Sequence, residues 1–307
     1  MNINNNHVVV MAGGIGSRFW PMSTSENPKQ FIDVLGCGKT LLQLTVDRFR
    51  GVCPPENLWI VTSRRYADIV KEQLPEIAED HILLEPCRRN TAPCIAYVSW
   101  KIKKLNPKAN IVVTPSDHIV MDVPEFVRVI NSTLKFTADS DAIVTLGMKT
   151  TRPETGYGYI EADLSMACPS NHEIYRVDAF KEKPDLETAR RYIQRKNYFW
   201  NAGIFIWNVS TVINALRVYQ PGIAEVFERM MPYYFTDQEQ QMVDELFPTC
   251  ESISIDYAVM EKTADAVVVG LDADWSDVGS WSALWDVSPK DEQGNVMTGD
   301  AWVHNSQ

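Results

Sequence analysis

Little in this chain points to nucleic acid, to a metal cluster or to a membrane. Positive charge is scarce: the formal net charge is −11 over 307 residues, with no long basic run. That argues against binding nucleic acid by neutralising its phosphates. It does not exclude nucleotides, because a few local cations and a metal ion suffice for those. No stretch approaches the ~20 consecutive apolar residues of a membrane-spanning helix. The opening MNINNNHVVVMAGG has no basic segment, and its apolar run is too short for a secretion signal. Cysteine is sparse and unpatterned: Cys37, Cys53, Cys87, Cys94, Cys168 and Cys250 form no C-x-x-C, and no histidine stands at zinc-ligand spacing from a cysteine pair. These read as reduced thiols of a cytosolic protein. Internal repeats, low-complexity tracts and flexible linkers are also lacking. A soluble, cytoplasmic protein with no nucleic-acid or membrane partner is the expectation.

Apolar residues are what the chain has, at 45%. That is enough for one large core with a small appendage. In the first half, strand-like runs at 7–11, 58–62, 81–85, 111–114 and 142–147 alternate with helix-like segments at 41–49, 66–74, 92–105 and 125–136. Continuous apolar strands between helices predict an α/β fold with a buried, mostly parallel central sheet and helices on both faces. The second half is less regular. Strands at 158–162 and 173–180 around a polar loop predict an antiparallel insertion. A helix over 186–194, a strand over 199–207, helices as far as 246, a strand over 265–270 and a helix over 279–286 follow. The expected division is a domain over 1–290 and a short β tail over 291–307.

The densest signal is VVVMAGGIGSRFWPMSTSENPKQF, residues 8–31. An apolar strand runs into Gly13, Gly14 and Gly16, then Arg18 and, after a polar loop, Lys29. Glycines let backbone N–H groups crowd around an anion, and Arg and Lys add fixed positive charge. This suits a nucleoside triphosphate with charge developing at its α-phosphate. Two familiar phosphate loops do not fit. Gly38-Lys39-Thr40 lacks the glycine that G-x-x-x-x-G-K-[ST] needs, since position 33 is Asp33. G-x-G-x-x-G fails because Phe19 stands where its third glycine belongs. An ordinary glycine turn after a strand is the bland alternative.

Other segments fall where an open α/β sheet places its ligands, at the carboxyl ends of strands. Val113-Thr114-Pro115-Ser116-Asp117-His118 puts Asp117 at such an end, as a Mg²⁺ ligand or a turn former after Pro115. Ser276-Asp277-Val278-Gly279-Ser280-Trp281 puts Asp277 before a short helix, as a metal ligand or an N-terminal cap. In Phe180-Lys181-Glu182-Lys183-Pro184, strand alternation sends Glu182 and Lys183 to opposite faces. Either the strand ends or bends before Pro184, or only one of the two meets a ligand. Glu85 to Pro93 (EPCRRNTAP) leaves a strand and opens a helix; Glu85 could accept from guanine N1–H and N2–H₂, while Asn90 or Thr91 could simply cap the helix. Thr155–Glu161 and Trp200–Phe205 carry glycines that allow close backbone approach or a tight turn. Asp256 reads as a helix cap or a ligand.

These segments together resemble the mannose-1-phosphate guanylyltransferase (GDP-mannose pyrophosphorylase) family of sugar-nucleotide pyrophosphorylases. The matching motifs are GG-x-G-x-R-x-W-P-x-S, P-K-Q-F, E-P-x-x-R-N-T-A-P, P-S-D-H, G-Y-G-Y-I-E, F-x-E-K-P, W-N-[SA]-G-x-F and S-D-V-G-S-W, spread along nearly the whole chain. The resemblance implies a Rossmann-like nucleotidyltransferase (GT-A-like) fold. It implies that a sugar 1-phosphate oxygen attacks the α-phosphorus of GTP in line, that pyrophosphate leaves, and that the substrates are GTP and mannose 1-phosphate. It assigns Arg18 and Lys29 to catalysis. Ala12, Gly13, Gly14, Gly16, Ser17, Glu85, Asn90, Thr91, Ala92 and Ser116 fall to the nucleotide; Gly158, Glu182, Lys183 and Asn201 to the sugar phosphate; Asp117 and Asp277 to Mg²⁺. Transferases using dTTP, UTP or CTP on the same architecture, or a catalytically silent sugar-nucleotide-binding subunit, are the rival readings. A homodimer is left open. Long members of that family continue into a sugar-phosphate isomerase domain, which this sequence does not reach. Shorter members add a β-helical tail, and residues 295–307 look like its beginning.

Overall fold

A computed structural model describes residues 2–16 and 19–297. Among these residues, eleven strands and nine α-helices follow one another: β1 (Asn6–Met11), α1 (Leu41–Arg48), β2 (Leu58–Ser63), α2 (Ala67–Gln73), β3 (Ile82–Glu85), α3 (Thr91–Leu105), β4 (Asn110–Pro115), β5 (Ile119–Val120), α4 (Val123–Ala138), β6 (Ile143–Lys149), β7 (Tyr159–Cys168), β8 (Asn171–Lys181), α5 (Leu186–Ile193), β9 (Tyr198–Asn208), α6 (Val209–Tyr219), α7 (Pro221–Met230), α8 (Glu239–Leu246), β10 (Ala266–Leu271), β11 (Trp275–Ser276) and α9 (Trp281–Val287). The expected elements are present, with ends shifted by a few residues and the β7–β8 hairpin longer than its apolar pattern suggests.

Nine strands form one sheet in the order β3-β2-β1-β4-β9-β6-β10-β8-β7. β3, β2, β1 and β4 pair in parallel, as do β6 and β10. β9 lies antiparallel between β4 and β6, and β8 antiparallel beside β10. The sheet is thus parallel in the main, with β8 and β9 reversed.

Side chains alternate across each strand, which explains why the strands are apolar throughout. In β1, Val9 joins the core formed with Ile95, Val98 and Trp100 of α3 and with α6 and α7. Val8 and Val10 join the opposite core with Leu42 and Val46 of α1 and with Phe126 and Ile130 of α4. The chain winds outward from β1 through β2 to β3, then α3 carries it back to β4 on the other side of β1. The order therefore reverses between β1 and β4, and their carboxyl ends form the crevice where such sheets bind ligands.

β5 and β11 form a separate two-stranded ribbon, with Ser276 opposite Ile119 and Trp275 opposite Val120. Because this pairing is antiparallel, Asp117, just before β5, and Asp277, just after β11, come to the same end. Of the expected tail, residues 291–297 carry no strand: Asp291 Oδ1 accepts from the backbone N of Asn295 at 2.7 Å, and the Trp285 indole donates to Gly294 O at 3.0 Å. The remainder, 298–307, lies outside the described residues.

Candidate active site

The loop after β1 is closely packed, and at Gly16 only glycine fits. A Cβ on Gly13 would stand 2.9 Å from Glu85 Oε2. Gly16 has φ +38°, and a Cβ there would meet the Lys29 backbone N at 2.8 Å. The loop is held from behind: Ala12 N donates to Val61 O at 2.8 Å, and the Gln30 amide donates to Ala12 O and Gly14 O. Ser116 N, at the end of β4, donates to Met11 O at 3.2 Å. A cavity of about 570 Å³ opens at this crevice, lined by Gly13, Gly14, Glu85, Asn90, Thr91 and Ser116, with Asp117 at its edge. Ala12 and Ala92 are fully buried behind it. Ser17 and Arg18 lie outside the described residues.

Lys29 is the joint of the site. Pro28 precedes a short 3₁₀ turn, Lys29–Phe31, that buries the lysine. Its ammonium lies 3.0 Å from Asp117 Oδ2 and donates to Asp277 O at 2.7 Å and Val278 O at 3.2 Å. One cation thus gathers two aspartate segments that lie far apart in sequence. Asp277 Oδ1 accepts from the Tyr157 hydroxyl at 2.6 Å and from Gly279 N at 3.0 Å. Burial, then the Asp277 carboxylate, holds the Tyr157 phenol well above its usual range, so it remains a donor. His118 is buried beside Asp117; its Nδ1 accepts from the Trp275 indole at 3.2 Å and its carbonyl from Arg48 at 2.8 Å. Burial pushes its pKa down to about 4, so it stays neutral.

Glu85 ends β3 and is 8% exposed. Its Oε1 has no hydrogen-bond partner among the described residues. Burial raises its pKa to about 7, against the opposing influence of Cys94 and Arg88. A buried acceptor lining the cavity without a donor costs free energy until a ligand or water supplies one. Asn90, at φ +67°, caps α3 through Thr91 N. The hydroxyl of Thr91 accepts from Ile255 N at 2.8 Å, and Arg89 donates to Pro248 O. The EPCRRNTAP segment is therefore fixed to the 248–255 loop as well as facing the cavity.

A second cluster forms where β7, β8 and β9 meet. A Cβ on Gly158 would stand 2.5 Å from Glu182 Oε2 and 3.2 Å from Asn201 Cβ. β8 ends at Lys181, and Lys183 takes φ +45°, so its ammonium comes 2.7 Å from Glu182 Oε1. Of the alternatives the alternation rule left, the strand ends. Asn201 donates to Asp256 Oδ1 at 3.0 Å and accepts from Thr145 and Gly203 N. Asp256 opens a π-helical turn, Asp256–Met260; burial and then the neighbouring Glu182 raise its pKa to about 6. Glu261 accepts from Glu182 N at 3.1 Å. Burial lowers the Lys183 pKa, and Glu182 and Asp256 more than reverse this, leaving it raised.

The two clusters adjoin. Tyr157, next to Gly158, reaches Asp277, and a Cβ on Gly203 would lie 3.5 Å from Pro115, which lines the cavity. Arg18 aside, the structure places Lys29, Asp117 and Asp277 together, and Gly158, Glu182, Lys183 and Asn201 together. Sequence reasoning read the GYGYIE segment for its glycines and passed over Tyr157. The signal available was a hydroxyl beside a glycine already assigned to the site. Gln30 and Glu261 were passed over likewise.

Residues 7–294 match the family described as nucleotidyl transferase. Relatives called mannose-1-phosphate guanylyltransferase, from Klebsiella pneumoniae and from Escherichia coli, are each 43% identical over 97% of this chain and 63% of their own length. The chain thus spans somewhat under two thirds of the curated relatives it matches. A crystal structure described as mannose-1-phosphate geranyltransferase from Thermus thermophilus superposes with a TM-score of 0.84 at 34% identity, over 96% of this chain and 83% of that one. UDP-glucose pyrophosphorylase complexed with UDP-glucose superposes with a TM-score of 0.56 at 15% identity, over 91% and 95%, a likeness of fold alone. The chain belongs to the nucleotidyl transferase family.

Proposed function

We propose that this protein is a mannose-1-phosphate guanylyltransferase, joining GTP and mannose 1-phosphate to give GDP-mannose and pyrophosphate. A phosphate oxygen of the sugar 1-phosphate attacks the α-phosphorus of GTP in line. The new P–O bond forms as the bond to the β-phosphate oxygen breaks, and pyrophosphate leaves with that electron pair. The observation that carries this reading is Lys29, whose ammonium holds Asp117 and the Asp277 backbone at the mouth of a cavity with Glu85 inside it. The relatives' names supply the sugar and the base.

In this reading Glu85 accepts from guanine N1–H and N2–H₂, and the N–H groups of Gly13, Gly14 and Gly16 cradle the phosphates. Asn90, Thr91, Ala92, Ala12 and Ser116 shape that pocket, and Ser17 is assigned to the nucleotide with them. Arg18 and Lys29 oppose the charge that develops around the α-phosphate and the leaving group. Lys183 holds the incoming sugar phosphate, Glu182 and Asn201 take sugar hydroxyls, and Gly158 lets the backbone approach the ring. Asp117 and Asp277 fit Mg²⁺: their segments meet at Lys29, and hard carboxylate oxygens suit an ion that is bound by one or two carboxylates plus substrate phosphates. When bound, Mg²⁺ neutralises phosphate charge. The residues' own contribution is alignment, and well-placed reactants account for about 7–11 kcal/mol of a barrier. A reaction on GTP carries a cytoplasmic location with it.

The test is pyrophosphate release with GTP, mannose 1-phosphate and Mg²⁺, beside Asp117→Ala and beside dTTP, UTP and CTP with glucose 1-phosphate. Turnover with the first pair, lost in the variant, is expected. No release, or faster release with another nucleotide or sugar, overturns the reading.

A further inference from the structure

We propose that Tyr157 is a positioning residue that makes sugar-phosphate binding and metal–triphosphate binding cooperative. The inference rests on the reading above, with Asp117 and Asp277 as the metal carboxylates.

Tyr157 belongs to two sites at once. Its backbone is part of the Gly156–Gly158 turn that walls the sugar cluster: Gly158 O accepts from Asn201 N at 2.8 Å, and Gly158 stands against Glu182. Its side chain leaves in the other direction. The ring meets Trp200 edge-on at 5.3 Å and Trp275 at 5.5 Å. The hydroxyl donates to Asp277 Oδ1, which also accepts from Gly279 N. Two donors on one oxygen fix the plane of that carboxylate, as groups behind a metal ligand do.

The same ring reaches the other carboxylate at one remove. Trp275 donates its indole N–H to His118 Nδ1 and packs edge-on against the His118 ring at 5.2 Å, and His118 follows Asp117 directly. A shift of the 156–158 turn when a sugar phosphate seats on Gly158 is therefore transmitted by rigid aromatic contacts to both aspartates. By linkage the effect is reciprocal: seating the triphosphate and its metal stiffens the turn that receives the sugar.

The experiment uses Tyr157→Phe, which keeps the ring and its packing and deletes the hydroxyl. Guanosine 5′-[α,β-methylene]triphosphate cannot release pyrophosphate, so binding is read without turnover. Calorimetry gives mannose 1-phosphate affinity with and without this analogue and Mg²⁺. In the wild type the analogue is expected to tighten mannose 1-phosphate by about fivefold or more, a typical coupling. In Tyr157→Phe the factor falls below twofold. Mn²⁺ binding in the presence of the analogue, read by electron paramagnetic resonance, weakens by about 10- to 100-fold, as for loss of other outer-shell partners of metal ligands. The melting temperature without ligands stays within a few degrees, so that lost coupling is not read from an unfolded variant; a merely structural tyrosine would leave the coupling factor unmoved. Retained coupling in the variant, or a wild type that binds both ligands independently, overturns the inference. A wild type that binds neither ligand instead removes the functional reading and this inference with it.

Discussion

Two cavities of similar volume lie at opposite ends of the same strands. The one at the carboxyl ends of β1 and β4 measures about 570 Å³; the one at their amino ends, lined by Asn6, Asn110 and Asn208, about 530 Å³. Both are polar. At the amino end, three asparagines sit in one row across the sheet, Asn6 opposite Asn110 and Asn110 opposite Asn208. Their amides are mostly spent inward, on Val52 O, on Leu134 O and Thr137, and on Ser210 N, with Asn6 Oδ1 left without a partner among the described residues. At the carboxyl end the polar groups are charged, come from segments far apart in sequence, and include Glu85, whose Oε1 has no partner among the described residues. Burying polarity does not make a site. Each end keeps one buried oxygen without a partner among the described residues, Asn6 Oδ1 and Glu85 Oε1; what sets the carboxyl end apart is charge gathered from distant segments at the strand ends where such sheets bind ligands.

The largest expected effect lies at the carboxyl end. Lys29→Ala removes the ammonium shared by Asp117 and Asp277 and is expected to lower kcat by about 10²–10³, the usual cost of a lost charge-stabilising group. Steady-state pyrophosphate release checks it, and a loss under tenfold would blur the distinction between the two ends. Glu85→Gln comes next. Losing one charge-assisted bond should weaken GTP about ten- to hundredfold by calorimetry.

That variant also carries a pH signature. Folding raises the Glu85 pKa from its ordinary value to about 7, so the folded chain holds a proton that the unfolded chain releases near pH 4.5. Between those values the unfolded state binds fewer protons, and the wild type loses stability as pH rises; above 7 the loss is complete. Glu85→Gln should flatten that slope in urea midpoints. GTP affinity, which needs the ionised carboxylate, should rise through pH 7 in the wild type and stay level in the variant.

At the amino end the effects reverse. Asn110→Ala deletes the buried amide that donates to Leu134 O and accepts from the Thr137 hydroxyl and should cost about 1–3 kcal/mol in urea unfolding, with kcat and both KM values within twofold. The smallest effect is titration of His7. Burial and then the nearby His81 lower its pKa to about 4. The unfolded imidazole takes a proton near pH 6.5 and the folded one does not, so stability present above 6.5 is lost as pH falls towards 4. His7→Gln should reduce that slope without altering turnover.

The contrast also shows which parts of the molecule can be read from the sequence. The parallel half was legible because strands buried on both faces are apolar at every position, and because glycines after β1 announce a crowded backbone. The place of β9 between β4 and β6 was not legible, since strand order leaves no trace in periodicity. Nor was the meeting of Asp117 with Asp277: the ribbon that brings them together has two residues per strand, too few to show a pattern. Lys183 was readable as a charge, but its left-handed φ, which turns it onto the side of Glu182, breaks the alternation rule that a strand obeys. Tyr157 lies just before the expected strand over 158–162 and drew no reading beside its glycines, and only the fold shows its hydroxyl on a carboxylate 120 residues away.

Anomalous diffraction from a crystal grown with Mn²⁺ and guanosine 5′-[α,β-methylene]triphosphate tests the central claim most directly. The predicted result is a single manganese peak within coordination distance of Asp117, Asp277 and a phosphate oxygen, with guanine against Glu85. A peak bound by neither aspartate, or a nucleotide seated away from the β1–β4 crevice, would contradict it.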